Sequence, residues 1–146
     1  MEEERMIEFE ILKESWNKYQ LSDNSVLKMR TILKSVRRIT KKSEMQYLVD
    51  AQSLTVVHAD SSLRGSPNPN QISNDEILKN IEMEDMRYNS LAQESNEYQL
   101  DDGTKIKIHN NVTSISRSSL KDQHGDPIYS VLSSNQVWIK SPNLPN

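Results

Sequence analysis

The sequence predicts a mainly β protein: tandem-duplicated antiparallel β-meander units forming one pseudo-twofold β-barrel or sandwich, with one short connecting helix. Three observations carry this reading. First, residues 17–38 align without gaps onto 96–117, an offset of 79, and eight of the 22 pairs are identical: Asn, Tyr, Gln, Leu, Asp, Lys, Ser and Arg. Second, Asp23-Asn24 and Asp102-Gly103 stand at matching points between runs of alternating polarity, a hairpin signal. Third, that alternation changes parity at the same place in both copies.

The elements follow in order. Ile7-x-Phe9-x-Ile11 reads as one strand; its counterpart near Met86–Leu91 is obscured by a helical pattern. At each hairpin a type I′ turn is expected, with φ > 0 at both central residues. The strand that follows is long. Its apolar positions are 27, 29, 33 and 36 in one copy and 106, 108, 112 and 115 in the other. In each set the fourth position has the opposite parity to the first three, which predicts a β-bulge or sharp bend near Lys34-Ser35 and Thr113-Ser114. Beyond a loop that differs by three residues the offset becomes 82, and Tyr47-x-Val49 lies over Tyr129-x-Val131. This third strand carries small residues mid-face (Ala51, Ser53; Ser133, Asn135), a sign that another sheet or strand approaches closely. Its opposite face, with Leu48, Leu54, Val56, Leu132 and Trp138, is also apolar and is either buried or held for a partner.

One pseudo-symmetric domain of 1–146 is therefore expected: repeat one at 6–58, linker and short helix at 59–84, repeat two at 85–141, and a loose tail at 142–146. A unit of about 50 residues is marginal alone, so the copies should share a core. The linker 59–74 reads as polar and mobile. Ser73-x-x-Glu76 is a capping box, with Ile72 and Ile77 as a hydrophobic staple. Ile77, Leu78 and Ile81 should lay a short apolar stripe across the sheet.

Composition excludes several classes of function. With no Cys there is no disulfide, thiolate metal site or cysteine nucleophile, and with three Gly there is no glycine-rich phosphate loop. The acidic start does not resemble a secretory signal, and no apolar window approaches a membrane span, so a cytoplasmic location and no membrane partner are expected. His58, His109 and His124 are far apart in sequence. Asp122-x-His124-x-Asp126 reads as a polar hairpin loop, and Asp23, Asp101 and Asp102 as turn formers. No catalytic residue, metal, cofactor or small-molecule substrate is expected, and the chain does not read as an enzyme.

Charge is segregated. Residues 24–43 carry +7 with no acid and residues 103–121 carry +4 with no acid, against −3 for the whole chain. The candidate residues for an anionic partner are Lys28, Arg30, Lys34, Arg37, Arg38, Lys105 and Lys107. The motifs Tyr98-x-Leu100-x-Asp102-Gly103 and Gly125-x-Pro127-x-Tyr129-x-Val131 resemble those of small archaeal β proteins, which implies structural roles for these residues and no activity. The function expected is a non-catalytic protein–protein interaction or assembly module that binds another protein or itself. The alternative is a small β-barrel that binds RNA or single-stranded DNA through the basic second strands.

Overall fold

Alternating apolar and β-branched residues with few interruptions make most of the chain strand. The computed structural model of the protein describes residues 2–142. In chain order it contains β1 Glu2–Ile7, β2 Phe9–Lys13, β3 Asn17–Leu21, β4 Val26–Lys41, β5 Glu44–His58, α1 Asn74–Lys79, β6 Ile81–Met83, β7 Tyr88–Ala92, β8 Asn96–Leu100, β9 Lys105–Lys121 and β10 Pro127–Lys140.

These strands form two five-stranded sheets with antiparallel pairing throughout. In the first sheet β4 is central. Strand β5 runs along one of its edges, β3 and β1 share the other, and β7 adds beyond β3. In the second sheet β9 is central, with β10 along one edge, β8 and β6 sharing the other, and β2 beyond β8.

The bulges lie where the parity switch places them. Lys34 is skipped between the pairs Leu33–Ala51 and Ser35–Asp50, and Thr113 between Val112–Ser133 and Ser114–Leu132. Three sequence expectations are corrected. The single strand 7–11 breaks at Glu8, and its two parts join different sheets. The obscured counterpart in the second half is strand, β6 and β7, because the helix ends at Lys79 after six residues. The hairpins are not type I′ turns. Leu21 N–H donates to the Ser25 carbonyl at 2.8 Å and Asn24 N–H to the Leu21 carbonyl at 3.1 Å, closing a three-residue loop. Only its third residue is left-handed, Asn24 at φ 70° and Gly103 at φ 86°. This is a type I turn followed by an αL residue.

Two apolar clusters fill the space between the sheets, and each draws on both. Ile7, Leu33 and Val36 meet Tyr98, Leu100, Ile106 and Ile108 in one; Tyr19, Leu21, Leu27 and Met29 meet Met86 and Ile115 in the other. Phe9 packs edge-on against Tyr98 with ring centres 5.8 Å apart, and Tyr88 does the same against Tyr19 at 5.6 Å. Between the clusters lies a polar centre at Thr31 and Asn110. Asn110 Nδ2 donates to Asn135 Oδ1 at 2.8 Å and lies 3.2 Å from Ser53 Oγ and from Ser133 Oγ. The small residues of β5 and β10 therefore mark a close approach between sheets.

The linker is not loose. Its Gly65 and Asn68 N–H groups donate to the carbonyls of Gly125 (2.8 Å) and Asp122 (2.9 Å), and Lys121 Nζ donates to the Leu63 carbonyl at 3.1 Å. Ser73 caps α1 through a 3.2 Å bond from Glu76 N–H, as the capping box requires. The helix lays down less of a stripe than expected: Ile77 is half-buried, but Leu78 is 54% exposed. A Cβ at Gly125, where φ is +85°, would lie 2.4 Å from the Gly65 carbonyl oxygen. Gly125→Ala is thus expected to cost about 2 kcal/mol and to free the linker. An unchanged melting midpoint and unchanged proteolysis within 59–70 would refute this. Most of the expected tail, 143–146, lies outside the described residues.

Candidate functional site

The seven candidate cations do not form one surface. Four of them meet acids from other segments of the chain. Arg30 bonds Glu14 through Nε (3.2 Å) and Nη2 (3.1 Å), Lys34 lies 3.8 Å from Asp50, Arg37 lies 3.7 Å from Glu4, and Arg38 lies 3.1 Å from Asp102. Lys28 and Arg30 also sit over the Trp16 ring, at 5.7 and 5.9 Å. Lys105 and Lys107 lie on β9 of the second sheet, whereas the other five lie on β4 of the first.

Two half-buried networks join aspartates and tyrosines that the sequence suggests as turn formers and core to arginines, of which Arg38 is one of the candidate cations. Asp102 Oδ2 accepts from Tyr47 Oη at 2.7 Å and from Arg38 Nη1 at 3.1 Å, while Tyr47 Oη lies 3.1 Å from Thr104 Oγ1. Asp23 Oδ2 accepts from Tyr129 Oη at 2.6 Å and from Arg117 Nη1 at 3.1 Å, while Tyr129 Oη lies 3.1 Å from Ser25 Oγ. Burial would raise the Asp102 carboxyl, but the bonds from Tyr47, Thr104 and Arg38 hold it down to about 2. Burial likewise opposes ionisation of Asp23, and the bonds from Tyr129, Ser25 and Arg117 bring it below the usual range. Tyr47 and Tyr129 are pushed up by burial and by the carboxylates they serve. Each carboxylate is held by three donors, which locks the side chains of its network in place. Their sequence signal is that Asp, Arg and Tyr recur at matching positions in both halves.

A third arrangement lies on the outer face of the second sheet. Register places Trp138 opposite Lys107 and Lys140 opposite Lys105. With Leu12 of β2 and Glu97 of β8 these residues line an open groove of about 260 Å³. Lys107 Nζ stands 5.2 Å from the centre of the Trp138 ring, which is 48% exposed.

The outer edges of β5 and β10 are a further exposed surface. Each pairs with a single neighbour among the described residues. Large apolar side chains along them are exposed, led by Leu132 (60%), Met45 (55%) and Leu48 (53%).

His58, His109 and His124 stay apart, and no group of three or more His, Asp or Glu able to hold a metal occurs among the described residues. Asp122 Oδ1 accepts from the N–H groups of His124 (2.8 Å) and Asp126 (3.0 Å), which makes it a loop former. Among the described residues no helix is long and apolar enough to cross a membrane. Comparison with known proteins finds no matching family model, no matching curated protein and no matching solved structure.

Proposed function

We propose that the protein is a non-catalytic assembly module, a duplicated β unit whose outer strands join those of a second copy. The duplication is supported by the pairing of the strands. Strands β1 to β5 and β6 to β10 make the same connections, with β2 and β7 exchanged between the sheets. The reading includes a pseudo-twofold axis that relates the two locks to each other.

The observation that carries the assembly reading is the state of the edge strands. Free sheet edges are normally blunted by charge, Pro or bulges that turn them away. Here β5 has 15 residues and β10 has 14. The run Ile128–Ile139 contains no charged residue, no Gly and no Pro. Edge N–H and C=O groups flanked by exposed Leu, Val and Trp are a template for strand addition. The total accessible surface, 9476 Å², exceeds the roughly 7,700 Å² expected of a monomer of 16.9 kDa. That excess is about twice the roughly 800 Å² that each partner buries in a standard protein interface.

Size-exclusion chromatography with light scattering tests this. The wild type should run as a dimer or larger. Leu132→Lys with Val137→Lys should shift it to monomer with an unchanged circular dichroism spectrum, since both side chains are exposed. A wild type that stays monomeric at high concentration would overturn the assignment.

A further inference from the structure

We infer that the Trp138 groove binds a planar neutral ring that carries an anionic group, the base and phosphate of a nucleotide. This site shares Trp138 and strand β10 with the proposed assembly edge, but its test reads nucleotide binding and depends neither on the oligomeric state nor on the duplication. Three features of the groove point to such a ligand. The first is charge: the groove is lined by three lysines and one carboxylate, Glu97. No carboxylate lies within ion-pair distance of Lys105 or Lys107 among the described residues, whereas Lys34 on the other sheet has Asp50. The second is the half-exposed indole of Trp138, whose π face stacks on any base and already draws a cation. The third is size and floor. A groove of about 260 Å³ is at the small end for a ligand site and suits one ring system with its phosphate, while Leu12 supplies an apolar wall.

Cross-strand register explains how the pieces meet. Lys107 on β9 has Trp138 on one side and Glu97 on the other, and Lys105 has Lys140 beside it one turn of the pleat away. A base lying on the indole would therefore place its phosphate near the ammonium groups of Lys105 and Lys107 on β9. An acidic peptide would satisfy the lysines but would leave the indole unused, so a nucleotide is the better fit.

The test uses the full chain carrying Trp16→Phe, so that Trp138 alone among the tryptophans reports. The probes are adenosine 5′-monophosphate, single-stranded oligoadenylate, adenosine, and polyglutamate as competitor. Saturable quenching by the monophosphate or the oligonucleotide supports the proposal. Equal affinity for the two identifies a free nucleotide as the ligand, and much tighter binding of the oligonucleotide identifies a single strand. Two phosphate contacts imply a loss of roughly five- to tenfold in strand affinity between 50 and 200 mM salt. Lys105→Ala with Lys107→Ala should weaken binding at least tenfold. Because both lysines are exposed, retention of fold is checked by the circular dichroism spectrum. If that pair does not fold, Trp138→Phe read by anisotropy of labelled oligoadenylate serves instead and should also weaken binding. Absence of quenching by both probes, equal quenching by adenosine without phosphate, or equally effective displacement by polyglutamate would each overturn the proposal.

Discussion

Cut between Asn70 and Gln71, the protein is expected to lose its fold, and mixing the two fragments is expected to restore it. Neither 1–70 nor 71–146 should give a folded monomer. The first fragment would hold β2 without its partner β8, leaving the pairs Phe9–Leu100 and Ile11–Tyr98 unmade. The second would hold β7 without β3, losing Tyr19–Ser90 and Leu21–Tyr88. Both apolar clusters would be halved, because each draws on both fragments. Tyr98 and Leu27, fully buried in the whole chain, would face water. Burying one such side chain contributes about 1.5–3 kcal/mol. Losing several exceeds the ~5–15 kcal/mol that holds an ordinary domain together. Amide dispersion in NMR spectra reads the outcome. A dispersed spectrum from either fragment as a monomer, or no recovery on mixing, would contradict the shared core.

The features legible in the sequence are local, and those that were not depend on register. The bulges at Lys34 and Thr113 are legible because a bulge must switch side-chain parity, and parity is written in the order of residues. The hairpin positions are legible, but the turn type is not. One left-handed residue is enough for the three-residue loop, and Asn24 and Gly103 satisfy either geometry. The break at Glu8 is hidden because Ile7 and Phe9 enter the same cluster from facing sheets, so the alternation continues across the crossover. The basic strands look unopposed because their acids come from elsewhere in the chain, Glu14, Asp50, Glu4 and Asp102. The sequence marks Lys105 and Lys107 as candidate cations and Trp138 as part of an apolar face, but nothing in it shows that they meet. The Trp138 groove exists because β10 pairs with β9 in a register that sets Trp138 beside Lys107.

Register also decides the other large effect, a loss of stability in acid that runs through Asp102 and Asp23. The Asp102 carboxyl, at 3.8 in an unfolded chain and about 2 when folded, binds its proton less readily in the native state. Its contribution is therefore complete above about pH 4 and is lost as the pH falls toward 2, about 2 kcal/mol in all. Asp23 is shifted in the same direction and adds to the same acid limb. Asn is a close test of the charge, because its side-chain oxygen can still accept the turn bonds from Thr104 N–H (2.9 Å) and Ser25 N–H (3.0 Å). Asp102→Asn is expected to cost about 2 kcal/mol at pH 7 and nothing further at pH 2, where the wild type has already lost that contribution. Asp23→Asn combined with it should cost roughly the sum, since the two locks share no bonded residue. Urea midpoints measured from pH 7 down to pH 2 separate the alternatives. An Asp23→Asn/Asp102→Asn variant that weakens with acid as steeply as the wild type would show that the locks do not set the acid limb.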